Sequence, residues 1–92
     1  ERNYAKQVSF LIDSSEADTN IVLDVQSLID EKDKNFPVEN VIKISEEEHK
    51  VYVKLDDKSI ASYNFFNDVS VNAYSNKDNV NEYIIVVRKK NA

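Results

Sequence analysis

The chain has 92 residues, of which 41% are hydrophobic and 32% are charged, as is typical of a small globular domain rather than a disordered chain. It contains no cysteine, which excludes disulfides, thiol catalysis and cysteine-ligated metals, and its single histidine excludes a multi-histidine metal site. It also contains no glycine, which excludes the glycine-rich loops that cradle phosphate groups.

The net charge of −5 is unevenly distributed, with ten acidic and five basic residues at positions 1–46 but seven of each at positions 47–92. Nucleic-acid-binding domains normally present a basic face. The one basic cluster here is residues 88–90, so we expect no nucleic-acid partner. We expect residues 1–92 to form one α+β domain, alone or as the soluble part of a longer membrane-anchored or secreted protein. No apolar run here is long enough to span a bilayer, so contact with a membrane would come only from a segment upstream of this chain.

The first twelve residues fit either a strand or a helix. Val8, Phe10 and Ile12 alternate as in a half-buried strand. Val8 and Leu11 are also spaced as on one face of a helix, and residues 4–7 contain no turn signal. The helix is favoured, and together with the next element it would form one helix from residue 2 to residue 32.

Residues 13–32 are predicted to form the amphipathic helix on which the fold depends. At its start, Asp13, Ser14 and Ser15 can accept hydrogen bonds from the free N–H groups of a first helical turn. Pro37 prevents the helix from continuing. An apolar stripe recurs at intervals of three and four residues, at Val22, Val25, Leu28 and Ile29. This stripe is expected to bind a sheet.

From residue 38 onward the apolar residues follow a period of two, which indicates strands. The predicted strands are residues 41–45, 51–55, 60–66, 69–74 and 83–87. Short polar turns separate them, so consecutive strands should be antiparallel neighbours. Residues 83–87 are apolar on both faces, which predicts a central strand or one that is covered on both sides. The expected fold is therefore α+β, an N-terminal amphipathic helix packed on an antiparallel β-meander of four to five strands.

Two acidic turns invite a metal or acid–base hypothesis, but neither fits it. Residues 46–49 hold three glutamates and His49, and adjacent side chains in a hairpin turn point in different directions. Residues 56–59 resemble a fragment of a calcium loop, without its glycine or its distant glutamate. No motif joins a serine, His49 and an acid into a catalytic triad. We expect no metal, no cofactor and no enzymatic activity.

The polar face of the predicted helix is a candidate acidic strip for binding a protein partner. Ordinary solvation of a charged face is the competing interpretation. The residues of this strip are Glu16, Asp18, Asp24, Asp30 and Glu31.

A second candidate is an aromatic patch formed by Tyr52, Phe66 and Tyr74. It requires Tyr63 and Phe65 to face the core, which leaves Phe66 on the other side or in the turn. An exposed aromatic cluster of this kind is typical of a protein-binding surface. The alternative is that these rings only complete the core.

The order of the elements resembles type IV pilin and pseudopilin headgroups. Residues 15–29 look like the second half of a pilin spine helix, and residues 57–66, 69–74 and 82–87 are similar to the closing strands of Gram-positive examples. The resemblance implies a bacterial structural protein outside the cell or on its surface. It also implies an upstream apolar helix that packs in the core of a fibre.

Two functional hypotheses follow. The first is a non-enzymatic cell-surface or extracellular assembly subunit of pilin-like type, in which residues before Asp13 contact neighbouring subunits. The alternative is a small acidic inhibitor or immunity protein, with a cytoplasmic location, that binds a basic protein partner through the acidic strip. Electrostatic steering would then speed binding and make it weaken as salt is added.

Overall fold

The computed structural model describes residues 2–16 and 18–90. The helices are α1 (Arg2–Ser14), α2 (Gln26–Glu31) and a short 3-10 helix (Val38–Asn40). The strands are β1 (Thr19–Asp24), β2 (Ile42–Ser45), β3 (Lys50–Val53), β4 (Ala61–Asn64), β5 (Val69–Ser75) and β6 (Glu82–Lys89). They form two antiparallel three-stranded sheets, ordered β1–β6–β5 and β2–β3–β4. The α+β class and the packing of an N-terminal helix on a sheet are confirmed.

The choice between a strand and a helix for the N-terminal residues is resolved in favour of the helix. Within α1, Ala5, Val8 and Ile12 are fully buried, whereas the Phe10 side chain is 60% exposed. The buried positions are separated by three and four residues, which is the spacing of one helical face. This face packs on β3 and β4.

The long helix predicted for residues 13–32 is wrong. Helix α1 ends at Ser14, Asp18 takes a left-handed backbone conformation with φ of 65°, and β1 follows. Asp13, Ser14 and Ser15, which were predicted to begin a helix, instead lie where α1 ends. Side chains of these types can hydrogen-bond to nearby backbone groups at either end of a helix. The Ser15 hydroxyl, for example, donates to the carbonyl of Leu11 at 2.5 Å.

Strand β1 is the element that the sequence analysis missed. Leu23 is buried and Val22 is 61% exposed, so the apolar residues here follow a period of two rather than the predicted helical stripe. Thr19, Ile21 and Val22 are β-branched and favour extended backbone. Pairing with β6 over the whole length of β1 therefore decides the conformation.

The meander of four to five strands is also corrected, to six strands in two sheets. All five predicted strands are present, with ends shifted by a few residues. Strand β6 is the central strand of its sheet, as the apolar character of residues 83–87 predicts. The meander is split because β5 pairs with β6 and not with β2 or β4.

Two side chains bridge the split between the sheets. The Tyr83 hydroxyl donates a hydrogen bond to the Val38 carbonyl and accepts one from the N–H of Ile42 at 3.3 Å. The Glu46 carboxylate accepts hydrogen bonds from the Ser70 hydroxyl at 2.8 Å and from the N–H of Val71 at 2.7 Å. These side chains take the place of strand-to-strand hydrogen bonds where β2 faces β5.

Replacing Tyr83 with phenylalanine should lower the free energy of unfolding by about 1 to 3 kcal/mol, because the buried amide of Ile42 loses its partner. Urea denaturation measures the change. Tyr74→Phe is the matched control, since the Tyr74 side chain is 48% exposed. Equal losses in the two variants would contradict a bridging role for the Tyr83 hydroxyl.

The same residue predicts a dependence of stability on pH. Burial raises the pKa of Tyr83 above its ordinary value. The folded protein therefore retains the phenol proton after the unfolded chain has lost it, at about pH 10. The contribution of Tyr83 to stability is complete below that pH and is lost as the pH rises further. Above about pH 10, the free energy of unfolding of the wild type should fall more steeply with pH than that of Tyr83→Phe. Urea denaturation of both proteins at several pH values measures this difference.

Candidate functional site

The acidic residues predicted to share one helical face are divided between the two ends of β1. Glu16 and Asp18 precede the strand, whereas Asp24, Asp30 and Glu31 lie at or beyond its end. Six residues of extended chain, about 20 Å, separate Asp18 from Asp24. All five side chains are exposed, but they do not form a continuous strip.

Two of these carboxylates make local hydrogen bonds. One oxygen of Asp24 accepts from the backbone N–H of Gln26 at 2.9 Å, next to the start of α2. One oxygen of Asp30 accepts from the side-chain amide of the same Gln26 at 2.8 Å. Both contacts stabilise the connection between β1 and α2.

The structure places the three residues of the predicted aromatic patch in different settings. Phe66 is 80% exposed and Tyr74 is 48% exposed, and they line separate cavities with no residue in common. Tyr52 lies in the middle strand of its sheet, opposite Lys43 and Ser62. Its hydroxyl donates to a Glu48 carboxylate oxygen at 2.8 Å, and this hydrogen bond raises the pKa of Tyr52. The patch required both Tyr63 and Phe65 to face the core: Phe65 is fully buried, whereas Tyr63 is half-buried, packing against the core and also lining a surface groove.

The acidic turns have structural contacts of their own. Among the described residues, no group of three or more His, Asp or Glu side chains is arranged to hold a metal ion. The Asp56 carboxylate accepts hydrogen bonds from the N–H groups of Lys58 and Ser59, both at 2.8 Å, and they lower the pKa of Asp56. His49 has a left-handed φ of 53° and packs its ring on Phe65, at 5.3 Å between centroids.

A groove between α1 and β4, which we call the α1–β4 groove, contains two exposed aromatic side chains. Its volume is about 330 Å³, and Phe10 and Phe66 both line it. The other lining residues are Lys6, Ser9, Asp13, Ser14, Tyr63 and Asn64. A second cavity of about 300 Å³ adjoins it along β4 and shares Tyr63, Asn64 and Phe66. The two cavities follow the outer edge of the β2–β3–β4 sheet.

The loop after β4 is fastened to the last turn of α1. One carboxylate oxygen of Asp13 accepts hydrogen bonds from the backbone N–H groups of Phe66 at 2.7 Å and Asn67 at 2.8 Å. The side-chain amide of Asn67 donates to the Ile12 carbonyl at 3.1 Å. The hydroxyl of the buried Ser9 donates to the Asn64 carbonyl. These contacts hold the Phe66 ring in solvent.

Strand β4 presents backbone groups to this groove. Its odd-numbered residues face β3, because Val51 lies opposite Tyr63 and the N–H of Phe65 donates to the His49 carbonyl. In an antiparallel ladder the alternate residues point the other way. The N–H and C=O groups of Ser62 and Asn64 therefore point away from the sheet, at its outer edge.

Sequence reasoning identified Phe66 but missed Phe10 and Asp13 as parts of this groove. An apolar Phe10 outside the stripe of the favoured N-terminal helix was the available signal, since a solvated helix face rarely needs a large ring there. The contact of Asp13 with residues 66 and 67 joins positions more than fifty residues apart, and no local pattern indicates it.

The chain has no match among protein-family models, curated proteins or solved structures. None of the helices in the described residues has the length and apolar character needed to cross a membrane.

Replacing Asp13 with alanine should lower the free energy of unfolding by about 1 to 3 kcal/mol, because two backbone donors lose a charged acceptor. Hydrogen exchange at the amides of Phe66 and Asn67 should become faster. Ser14→Ala changes the next residue, which is also exposed, and is the matched control. Unchanged exchange at both amides would show that Asp13 does not hold the loop.

Proposed function

We propose that this chain is a non-enzymatic structural assembly subunit of pilin-like type, extracellular or on the cell surface. In this proposal the α1–β4 groove is the surface that contacts neighbouring subunits. The observation that carries it is the pair of exposed rings, Phe10 and Phe66, on the two sides of one groove. Phe10 precedes Asp13, within the segment expected to meet other subunits.

Leaving these two rings in water has a free-energy cost that burial against a partner would remove. Burying a phenylalanine side chain contributes roughly 1.5 to 3 kcal/mol. Aromatic anchors in a groove commonly dominate protein–protein binding. The contacts of Asp13 and Asn67 fix the Phe66 loop in advance, so little conformational entropy would be lost when a partner covers the ring.

The proposal assigns the role of the spine helix differently from the sequence resemblance. Residues 15–29, which look like part of a spine helix, contain β1 and the start of α2. In the proposed subunit, α1 takes that role, since it packs on the sheet and exposes Phe10 on its free side.

Substituting serine for Phe10 or Phe66 should weaken self-association at least about tenfold, which corresponds to about 1.4 kcal/mol. Phe66 is so exposed that its replacement should leave stability nearly unchanged. Sedimentation velocity over a range of protein concentrations measures the association. The matched control is Val22→Ser, at an apolar residue of β1 that is about as exposed as Phe10. An equal effect of the control, or a wild-type protein that stays monomeric, would contradict the proposal.

Salt should strengthen this self-association, because each copy carries a net charge of −5 and like charges repel. The screening length falls from about 30 Å at 0.01 M salt to about 3 Å at 1 M. The alternative function, binding of a basic partner by the acidic residues, has the opposite salt dependence. Sedimentation at low and high salt measures the self-association, and a decrease in self-association with salt would count against an apolar contact.

A further inference from the structure

We infer that two copies of this chain join by antiparallel pairing of their β4 edges, so that β2–β3–β4 of each copy forms half of a six-stranded sheet. This inference rests on the proposed assembly function and names the partner of the α1–β4 groove as a second copy. It starts from the backbone groups of Ser62 and Asn64, which point out of the sheet. Among the described residues, these groups receive one hydrogen bond, from Ser9 to the Asn64 carbonyl.

Strand β4 contains no charged residue and no proline, and the contact that α1 makes with its outer backbone edge is the hydrogen bond from Ser9 to the Asn64 carbonyl. Exposed strand edges are usually guarded by charged residues, proline or a covering element. The β1 edge is flanked by Asp18 and Asp24, and the facing edges of β2 and β5 are bridged by Tyr83 and Glu46. Residues 59–67, which contain β4, form the longest stretch of the chain without a charged residue.

Strand β4 itself carries no charge, and the adjoining groove holds one basic and one acidic side chain, Lys6 and Asp13, so two copies of an acidic chain approach here with little repulsion. Each copy carries a net charge of −5, so contact through the acidic ends of β1 would place like charges together. The sequence of the β4 edge, Ala-Ser-Tyr-Asn, is neutral and can pair with itself. A basic partner would gain nothing from a neutral edge, which favours a second copy as the occupant.

The direction of the backbone groups restricts pairing to the even-numbered residues of the two copies. Of these registers, the one that places Ser62 opposite Asn64 of the other copy uses the outward groups of both residues in both copies, with the two-fold axis between the two Tyr63 residues. Each such pair exchanges two hydrogen bonds, so the interface contains four. The Asn64 carbonyl has a second lone pair available while it accepts from Ser9. Phe10 and Phe66 border the same edge, so pairing would also cover apolar surface from both copies.

Cysteine cross-linking tests this register without a native thiol to interfere, because the chain contains no cysteine. Residues opposite each other in such a pair have Cα atoms about 5.5 Å apart, within the range of a disulfide. Positions displaced by two residues are about 7 to 8 Å apart, beyond that range. An equimolar mixture of Ser62→Cys and Asn64→Cys should therefore form the mixed disulfide several times faster than either variant alone forms its own dimer.

Asn20→Cys is the control, since residue 20 is exposed on the other edge strand, β1. It should form dimers no faster than random collision allows. Equal rates for the mixed and the single-variant dimers, or equally fast cross-linking of Asn20→Cys, would overturn the inferred register.

A second variant separates this inference from the proposed function. Ser62→Pro removes the N–H that points out of the sheet and leaves the hydrogen bonds to β3 in place. It should reduce self-association at least about tenfold, whereas Ser62→Thr, which keeps the N–H, should retain it. If the Phe10 and Phe66 variants weaken association and a folded Ser62→Pro does not, the assembly function stands and the edge pairing is wrong. If wild-type protein does not associate at all, the proposed function fails as well.

Discussion

The architecture depends on how the two sheets are joined where they share no backbone ladder. The hydroxyl of Tyr83 and the carboxylate of Glu46 supply the hydrogen bonds that a continuous sheet would make between β2 and β5. The N–H groups of Ile42 in β2 and Val71 in β5 thereby gain acceptors, as buried backbone donors require. The core faces of both sheets contribute to one hydrophobic core, in which Tyr83 and Phe65 are the largest fully buried side chains.

At the other edge of the β2–β3–β4 sheet, strand β4 is only partly covered. Helix α1 covers the core face of β3 and β4, and its Ser9 reaches the backbone of β4 at Asn64. The rest of that edge is open, and two rings border it. One strand edge is therefore sealed inside the protein by side chains, while the comparable edge at the far side of the same sheet remains available to a partner.

The strands after residue 38 could be predicted from the sequence because their alternation is strong and their turns are polar. The central position of β6 also followed from its composition, since a strand apolar on both faces needs neighbours on both sides. The conformation of residues 19–24 could not be predicted locally. Val22, Val25, Leu28 and Ile29 follow the spacing of one helical stripe, and Leu28 and Ile29 are indeed helical, in α2. For residues 19–24, only pairing with the distant β6 selects the strand.

Local sequence patterns also predict only part of the α1–β4 groove. Phe66 was identifiable as a ring that a period of two leaves outside the core, and it is exposed as expected. Its position opposite Phe10 depends on Asp13 accepting hydrogen bonds from residues 66 and 67. In the sequence, an aspartate next to two serines indicates a helix cap. Nothing in the local pattern shows that the Asp13 carboxylate accepts hydrogen bonds from a loop in the other half of the chain.

The left-handed residues Asp18 and His49 have a thermodynamic consequence for a chain without glycine. A glycine would take these conformations without steric cost, but it would also give the unfolded chain more conformations to lose on folding. By using aspartate and histidine, the protein accepts a local penalty in the native state and keeps a less flexible unfolded state. The free energy of unfolding therefore depends partly on the low conformational entropy of the unfolded chain, in addition to the contacts of the folded state.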